Sequence, residues 1–422
     1  MAQGYRYSVQ KGVIERTGEI SIDSKPKGAR VMIDDVAPVN FLGRLEGKKE
    51  VLTPARIKTV LSGQYRVTIE KDGFFPWKGR VMVLPGRAAV LSGVELLPRP
   101  SEVIVPIRAT IVQIIPMSGS RFVYRTEDGH IGVYDSRAKV VESLFDPHEK
   151  VVSLLVSPSG KKVFVEGEKH FWIVRNDGRL LATAIPIGLL KSFAWSHADG
   201  LYALDVRGVV FFSEKNIAFV HALSGLYAHM YVDEKLTTID RTGAVQTYTF
   251  GKPDHPIRTS FSLKKAPSGV LISGEGRFFV FSDARHDNLV LVDKTNPIQP
   301  FETISRAHSI RWLNSTTGIA WDDFEASMVS IDNAGNVSTS LITRQSEQIR
   351  DVVAVQGVPY IFLLTKNGAI DAHDISGGDQ NNRYRYFDDS TRVVSAICQG
   401  KTMIAAGEFK GVSGLTIVSL QE

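Results

Sequence analysis

Apolar and polar residues alternate along short runs through most of the chain. In QYRVTIEK (64–71), Tyr65, Val67 and Ile69 fall on one side of an extended backbone, and the polar residues between them fall on the other. This period of two predicts a strand with one buried face. Similar runs separated by Pro and Gly are EISIDS (19–24), ARVMID (29–34) and GRVMVLPGRAAVLSGVELL (79–97). The N-terminal part of the chain is therefore predicted to be a small β-domain.

From about residue 104 onward, strand-like runs and Gly-containing turns recur as a repeat. Examples are IIPMSGSRFVYRTEDGHIGVYD (114–135) and LVSPSGKKVFVEGEKHFWIVRNDGRLLA (155–182). Most units begin about 40 residues after the previous one, which is the spacing of four-stranded propeller blades. The sequence contains eight such units, and this favours eight blades. The fourth unit follows the third so closely that seven blades are the alternative.

The two regions divide the chain. LLPRPSEV (96–103) carries two prolines between apolar runs and predicts a domain boundary. No convincing amphipathic helix follows it, so the predicted fold class is all-β. We expect an extended arm (1–17), a small sandwich-like β-domain (18–98) and a β-propeller (99–422).

Closure of the propeller ring gives a further expectation. A row of short strands with open ends would leave exposed edges, and radial closure protects them. The segment EVIVPIRATIVQII (102–115) precedes the first full unit. We predict that it completes the last blade beside GLTIVSL (414–420).

Conspicuous acids fall at predicted hairpin turns. Asn or Asp before Gly supplies the positive φ that a two-residue hairpin needs. Turns with Asn, Asp or Ala before Gly are EDGH (127–130), NDGR (176–179), NAGN (333–336) and KNGA (366–369). The adjacent acids Asp34 and Asp35 are interpreted in the same way, because two carboxylates supply too few oxygens for Ca²⁺.

Charge and cysteine content exclude several classes. The formal net charge of +5 is small for 422 residues, so we expect no nucleic-acid partner. Cys398 is the single cysteine, which excludes an intrachain disulfide and a CxxC metal site. No apolar window is long enough to span a bilayer, and the N-terminus does not resemble a signal peptide.

Two stretches are weak candidates for ligand binding. WDDFE (321–325) holds Asp322 and Asp323, which we interpret as a hairpin tip that could otherwise bind a cation or act as an acid/base pair. NNRYRYFDDS (381–390) alternates arginine with tyrosine, a pattern that can stack on bases or sugars. On a strand, Arg383 and Arg385 share one face while Tyr384 and Tyr386 share the other, as in an outer strand half in the core.

No stretch assembles an active site. The sequence contains no HxxxH or HExxH pair, no GxSxG elbow, no P-loop and no GxGxxG after a strand. We therefore assign no catalytic residue, no metal ligand and no cofactor.

Residues 18–98 resemble the PEGA domain family. The name-giving motif stands in degraded form as Pro26-Lys27-Gly28-Ala29, with Lys in place of Glu. TPARI (53–57) and LSGQYRVTIEKDGFFPW (61–77) match the family's later steps in the right order. The stretch 36–52 is longer than the usual link of the family.

The second region resembles a degenerate WD-like or quinoprotein-like propeller. Together the two resemblances imply membrane-anchored PEGA proteins of poorly characterised bacteria, with a transmembrane helix before the arm. We therefore expect an anchor at the N-terminal side and a position on the extracytoplasmic face of the membrane. A naturally soluble protein is the alternative.

Three function hypotheses remain open on sequence alone. The preferred one is a non-enzymatic surface protein, in which the propeller binds a protein or glycan of the cell envelope and the PEGA domain is a spacer. The second is a hydrolase or lyase that acts on envelope polysaccharide in the propeller funnel. The third is an intracellular protein-interaction propeller, since the fold supports all three.

Overall fold

The structure, a computed structural model, consists of β-strands joined by turns. Its described residues are 4–8, 12–36, 50–100, 104–196, 198–205, 208–212, 217–222, 227–232, 235–240, 245–249, 269–272, 278–283, 288–293, 302–355, 357–376, 382–387 and 390–420. Within these ranges no residue lies in an α-helix. Accordingly, the described part of the chain has no helix that is long and apolar enough to cross a membrane.

The N-terminal region begins with a hairpin of β1 (Tyr5–Ser8) and β2 (Val13–Arg16). Two sheets follow, in the orders β6-β3-β9 and β5-β4-β7-β8. Their strands are β3 (Gly18–Lys25), β4 (Arg30–Ile33), β5 (Val51–Leu52), β6 (Ala55–Val60), β7 (Gly63–Glu70), β8 (Trp77–Val83) and β9 (Ala88–Glu95). The arm predicted for residues 1–17 therefore contains a paired hairpin, which turns back near Gly12 at a φ of 65°.

The inward faces of these two sheets form one apolar core. Ile20 and Ile22 on β3 pack with Val67 and Ile69 on β7, and all four are at most 1% exposed. The alternation seen in QYRVTIEK explains this packing, because it places one apolar face per strand against the opposite sheet. The first domain is thus a small β-sandwich with its own core.

Asp34 and Asp35 lie in a turn after β4. Both have positive φ angles, 48° and 64°. Asp34 Oδ1 accepts a hydrogen bond from the Arg66 amide at 2.9 Å, and the Asp34 amide donates to the Arg66 carbonyl at the same distance. Asp35 Oδ2 lies 3.6 Å from Arg66 Nη1, so both acids contact β7 from the turn, in the position that the sequence indicated.

The second region is a succession of small antiparallel sheets. The described residues contain eight of them, and each follows the chain from a first to a last strand, except that the final sheet takes its fourth strand from β10. The strands of the first four sheets, preceded by that borrowed strand, are β10 (Ile104–Pro106); β11 (Ile111–Pro116), β12 (Arg121–Thr126), β13 (Ile131–Asp135), β14 (Val140–Phe145); β15 (Val151–Val156), β16 (Lys162–Gly167), β17 (His170–Arg175), β18 (Leu180–Pro186); β19 (Lys191–Trp195), β20 (Leu201–Asp205), β21 (Gly208–Phe212), β22 (Ile217–Ala222); β23 (Tyr227–Val232), β24 (Lys235–Asp240), β25 (Val245–Thr249).

The remaining four sheets repeat this pattern. Their strands are β26 (Gly269–Ile272), β27 (Phe278–Asp283), β28 (Asn288–Asp293), β29 (Glu302–Ser305); β30 (Ser309–Trp312), β31 (Thr317–Trp321), β32 (Glu325–Ile331), β33 (Val337–Arg344); β34 (Ile349–Ala354), β35 (Tyr360–Thr365), β36 (Ile370–Asp374), β37 (Arg383–Arg385); β38 (Thr391–Gln399), β39 (Thr402–Phe409), β40 (Val412–Ser419).

The first strands of neighbouring sheets contact one another, as in a propeller. β11 contacts β15, β30 contacts β34, and β34 contacts β38. The contact of β11 with β38 joins the first sheet to the last and closes the ring. Apolar side chains fill the space between adjacent sheets, for example Ile361 and Leu363 with Trp321. The chain therefore forms an all-β propeller, and the number of its blades stays a prediction.

The ends of this region meet as predicted. Ile104 to Pro106 pair antiparallel with Thr416 to Gly414 of β40, so β10 is the fourth strand of the last sheet. The later part of the predicted segment, Ile111–Pro116, is the first strand of the first sheet instead. The chain thus leaves one blade and enters the next within residues 107–110.

The up-and-down order of the strands gives the propeller two distinct ends. Connections between the first and second strands, and between the third and fourth, lie at one end. We call it the docking end, for the contacts described below. Connections between the second and third strands, and from one sheet to the next, lie at the opposite end, called the far end.

Candidate functional site

The RYRY stretch lies where the N-terminal domain meets the propeller. Phe75, in the loop before β8, stacks on Tyr384 with ring centroids 4.9 Å apart and also lies 5.9 Å from Tyr386. The Arg99 guanidinium also lies over the Phe75 ring, 5.1 Å from its centroid. Tyr386 is 1% exposed. The two tyrosines are therefore part of an interdomain aromatic contact.

A buried aspartate of the propeller anchors the same contact. Asp374, at the end of β36, is 7% exposed, and its Oδ2 accepts hydrogen bonds from Trp77 Nε1 at 3.1 Å and Asn382 Nδ2 at 3.2 Å. Its Oδ1 accepts from the amide and hydroxyl of Ser376. This carboxylate thus joins the indole of the N-terminal domain to the turn of the blade.

Asn382 pairs with the edge strand β8 as another strand would. Its Nδ2 donates to the Lys78 carbonyl and its Oδ1 accepts from the Lys78 amide, both at 3.1 Å. β8 is the last strand of its sheet, so these backbone groups have no strand partner on that side. The Asn382 side-chain amide therefore satisfies both backbone groups of Lys78 and protects this edge of the sheet from pairing with another strand.

Two tyrosine hydroxyls complete the polar contacts. Tyr384 donates to the Pro76 carbonyl and Tyr360 donates to the Glu95 carbonyl, each at 2.8 Å. Burial raises the pKa of both phenols, with smaller contributions from nearby acids. Both therefore remain protonated donors at neutral pH. Leu97 is buried in the same apolar cluster as Tyr360, which makes the contact continuous with the propeller core.

The two arginines occupy the other face of the strand. Asp371 on β36 has a side chain that is 2% exposed. Arg383 Nη2 lies 2.7 Å from its Oδ2, and Arg385 Nε lies 3.0 Å from its Oδ1. Both guanidinium groups pair with this one buried carboxylate, and Arg385 Nη2 also lies 3.9 Å from Glu347 Oε1, so the two arginines face two carboxylates of the protein.

His373 lies beside this ion cluster. It is 1% exposed, and its Nε2 lies 3.1 Å from Gln345 Nε2. Burial, followed by the charge of Arg383, lowers the pKa of His373 to about 4, although Asp371 acts in the opposite direction. The imidazole is therefore neutral at physiological pH.

Asp322 and Asp323 lie apart from these contacts, at the far end between β31 and β32. Asp322 Oδ1 accepts hydrogen bonds from the amides of Phe324 at 2.7 Å and Glu325 at 2.5 Å. Asp323 Oδ2 accepts from Gln348 Nε2 at 3.0 Å. One aspartate shapes the turn and the other ties it to the next sheet.

Other candidate chemistry is sparse in the described residues. No group of three His, Cys, Asp or Glu side chains there is placed to hold a metal ion. Burial raises the pKa of the Cys398 thiol to about 12, which keeps it protonated. His197, His286, the SGEGR turn (273–277) and most of the SGGDQNN loop (377–381) lie outside the described residues.

Two cavities adjoin the domain contact. One of about 270 Å³ lies between the domains and is lined by Phe74 and Leu96 on one side and by Val358, Tyr360 and Leu420 on the other. A larger one of about 680 Å³ lies against the N-terminal domain, where Arg30 is held by Glu50 and Glu70. Among the described residues that line them, no group of three His, Cys, Asp or Glu is placed to hold a metal ion.

The architecture of the first domain agrees with its family comparison. Residues 17–94 match the model of the PEGA domain. This segment is a PEGA domain. The match ends one residue before the last residue of β9, and it contains the Phe74–Lys78 stretch of the PEGA domain that contacts the propeller.

Several solved structures are similar to the chain at low sequence identity. The computationally designed Ika8 protein is 12% identical, with a TM-score of 0.54, over 76% of this chain and 100% of that one. Dihydro-heme d1 dehydrogenase NirN in complex with DHE is 11% identical, with a TM-score of 0.55, over 77% and 75% of the two chains. The RRP9 WD40 repeats are 13% identical, with a TM-score of 0.45, over 77% and 100%. No curated protein sequence matches the chain.

Sequence reasoning missed the interdomain contact. The alternation in NNRYRYF correctly separates arginines from tyrosines, but it does not show what covers the tyrosines. The available signal was GFFPW (73–77), in which three large aromatic residues lie within four positions after the polar residues Lys71 and Asp72. Large aromatic side chains concentrated in one loop are typical of a docking surface.

Proposed function

We propose that the protein is a non-enzymatic binding or scaffold protein of the extracytoplasmic side of the cell envelope. In this proposal the propeller is the binding platform and the PEGA domain is the spacer that holds it. The observation that carries the proposal is the built contact between the domains, formed by Asp374, Asn382 and Tyr384 of the propeller with Phe75 to Lys78 of the PEGA domain.

A spacer must hold the propeller at a defined position, and a fixed contact between the domains does this better than a flexible linker. The contact contains a buried carboxylate, a bidentate amide and a stacked aromatic pair, each with directional geometry. Contacts of this kind restrict rotation between the domains more than apolar packing alone. The PEGA domain therefore supports the propeller in one orientation.

The N-terminal hairpin lies at the opposite end of the PEGA domain from the propeller. Lys25, at the C-terminal end of β3, pairs with Glu95 next to the interdomain cavity, whereas Gly18 at the other end of β3 lies against Leu84 and Arg87. The eight residues of β3 span about 25 Å. The chain thus enters on the side that faces away from the propeller, which suits an anchored spacer.

Localisation is part of the proposal. PEGA domains are typically extracytoplasmic, and an upstream anchor on the side of the hairpin would place the propeller outside the membrane. The partner is proposed to be a protein or glycan of the envelope, bound by propeller loops on a rigid frame.

Protease accessibility and envelope capture test the proposal together. Protease added to intact cells, with any outer barrier opened, should cleave the native protein, whereas a cytoplasmic marker stays protected. The immobilised full chain should retain material from the envelope fraction and not from an equal amount of the cytoplasmic fraction. Protection of the protein in intact cells, or retention of cytoplasmic material only, would contradict the proposal.

A further inference from the structure

Cationic side chains are concentrated on one side of the docking end. They lie in the turns of the first two sheets of the propeller and in the adjoining turn of the last sheet. The turns are 117–120, 136–139, 157–161, 176–179 and 400–401. Their cationic residues, together with those that flank them, are Arg121, Arg137, Lys139, Lys161, Lys162, Arg175, Arg179 and Lys401. We call this set the basic arc.

Hydrogen bonds join these turns into one surface. Gln399 Nε2 donates to the Met117 carbonyl at 3.0 Å, which links the last sheet to the first. The Ser118 hydroxyl lies 3.5 Å from the Gly160 carbonyl, which links the first sheet to the second. The Asn176 amide donates to the Lys161 carbonyl at 2.9 Å within the second sheet. The basic arc therefore follows the rim of the propeller across three neighbouring sheets.

Carboxylates near the basic arc are fewer than its cations. Asp135 accepts hydrogen bonds from the Ala138 amide, the Ser120 hydroxyl and the Arg137 amide, and these bonds lower its pKa. Asp199 similarly accepts from the amide and hydroxyl of Ser159. Both carboxylates are hydrogen-bonded to these turns, and with Glu142 and Asp177 they offset part of the charge of the eight cations.

Two members of the basic arc have ion-pair partners and others do not. Arg121 pairs with Glu142 at 3.4 Å, and Arg175 pairs with Asp177 in its own turn. No ion pair is formed by the exposed side chains of the other turn cations with any described carboxylate; these are Arg137, Lys139, Lys161, Arg179 and Lys401.

We propose that the basic arc binds a flexible anionic polysaccharide. This inference rests on the proposed envelope function and names the chemical class of the partner. Ligand charges repeated along a chain can contact successive turns, and each contact releases counterions from the polymer. The recognised groups are the carboxylates, sulfates or phosphates of the polymer.

The shape of the surface favours a flexible chain over a stiff duplex. The basic arc curves along the rim of the propeller, whereas double-stranded DNA is stiff, with a persistence length of about 50 nm. Single-stranded nucleic acid is disfavoured because the turns of the arc contain no aromatic side chain on which a base could stack. Positive charge without stacking surfaces suits a polymer whose binding groups are anionic substituents.

A flat lipid surface is also disfavoured as the partner. The PEGA domain is attached to the same end of the propeller, and the contacts described above lie at the end of the domain that holds Lys25, Phe75 and Glu95. The rest of the domain extends away from these contacts by about the length of β3, about 25 Å. A membrane approaching this end would meet the PEGA domain before the basic arc.

Neutralisation of the arc gives the decisive experiment. The arc variant carries Arg137→Gln, Lys139→Gln, Lys161→Gln and Arg179→Gln. The matched control carries Arg108→Gln, Lys169→Gln, Lys366→Gln and Arg392→Gln, four exposed cations at the far end, so that both variants lose the same net charge. Binding of labelled dextran sulfate to the full chain is followed by fluorescence anisotropy between 50 and 200 mM salt, with neutral dextran as the uncharged probe.

The expected result is a selective loss. The arc variant should bind dextran sulfate at least about tenfold more weakly, and the slope of log K against log salt should fall by about three, while the control changes by less than about twofold. Equal losses in both variants, or no binding of dextran sulfate by the wild-type chain, overturn the inference. Tighter binding to single-stranded DNA or to anionic vesicles of matched charge overturns it as well.

Failure of this inference is separable from failure of the proposed function. If the immobilised chain retains envelope material but does not bind dextran sulfate, only the basic arc assignment is wrong. If protease cannot reach the protein in intact cells, the envelope function is wrong whatever polyanion binds in solution. Circular dichroism of both variants, with unchanged β-signal, shows that any loss of binding does not come from unfolding.

Discussion

Two neighbouring blades use the same pair of residues for different purposes. In the sheet β30–β33, Asp332 follows the third strand and its Oδ2 accepts from Asn336 Nδ2 at 2.8 Å across an exposed turn. In the sheet β34–β37, Asp374 stands at the same place and its Oδ2 accepts from Asn382 Nδ2 at 3.2 Å. The second pair is buried under the PEGA domain, where it also binds Trp77 and Lys78. The same Asp–Asn hydrogen bond therefore closes an exposed turn in one blade and forms part of the domain contact in the next.

The difference lies in what covers the turn and not in the turn itself. Exposed hydrogen bonds of charged groups exchange with water at little net cost, whereas buried donors without an acceptor cost about 1–3 kcal/mol each. The same substitution should therefore have unequal effects in the two blades. The following variants test this comparison in order of expected effect.

Removal of the buried carboxylate should have the largest effect. Asp374→Ala leaves Trp77 Nε1, Asn382 Nδ2 and the Ser376 hydroxyl without their acceptor. The expected loss in the free energy of unfolding is about 3 kcal/mol, measured by urea denaturation of the full chain. The matched control Asp332→Ala removes an exposed acceptor and should cost about 1 kcal/mol or less. Equal losses in the two variants would show that the domain contact adds nothing.

Much of this architecture was accessible from the sequence because it depends on local signals. Strand alternation, the repeat spacing and Asn/Asp-Gly turns are encoded within a few residues, and the borrowed strand β10 follows from the edge problem. The PEGA resemblance rested on ordered matches in residues 18–98, and the family model covers 17–94. The predicted turn at Asp322 likewise depends on adjacent backbone groups, whereas Asp34 binds the Arg66 amide of β7, which is 32 positions away.

The domain contact was not accessible in the same way. Asp374 and Trp77 are 297 positions apart, and Lys78 and Asn382 are 304 apart. Nothing near Asp374 distinguishes it from Asp332, because both precede polar turns. RYRY was identified as chemically unusual, but the ligands considered for it were bases or sugars. In the structure Tyr384 contacts Phe75 and both arginines contact Asp371.

Truncation of the stacked aromatic should have the second largest effect. Phe75→Ala removes the ring that contacts Tyr384, Tyr386 and the Arg99 guanidinium. Because Phe75 is only partly buried, we expect a loss of about 2 kcal/mol, below the range for fully buried phenylalanine. Phe324→Ala, at an exposed tip of the far end, is the control and should change stability by less than about 0.5 kcal/mol. Phe75→Leu should recover part of the loss, and a Phe75→Ala variant as stable as the wild-type chain would contradict this prediction.

The bidentate amide gives a smaller and more specific effect. Asn382→Ala leaves the Lys78 amide and carbonyl without their side-chain partner, and we expect a loss of about 1.5 kcal/mol. Hydrogen exchange of the Lys78 amide should accelerate in this variant, because the protecting acceptor is gone. The control Asn336→Ala removes the exposed counterpart and should leave exchange at Lys78 unchanged. Unchanged exchange in Asn382→Ala as well would mean that the edge of β8 is protected by other atoms.

The smallest expected effect is on the pH dependence of stability. It compares the buried His373 of β36 with a histidine at a partly exposed position. The pKa of His373 is lowered to about 4, chiefly by burial and then by Arg383, so the folded state holds the neutral imidazole while the unfolded chain titrates near its usual value. The unfolded state therefore binds more protons between these values, and the stability contributed by this group is complete above its usual pKa and is lost as pH falls toward 4. Between pH 7 and pH 5.5 the expected loss in the free energy of unfolding is about 1 kcal/mol.

His373→Gln should remove this part of the pH dependence, whereas His170→Gln, at a partly exposed site paired with Glu149, should leave it in place. Asp371, Arg383 and Gln345 all face His373. An unchanged pH slope in His373→Gln would therefore assign the pH dependence to another group. The comparison between the covered and the uncovered blade would then rest on hydrogen bonding alone.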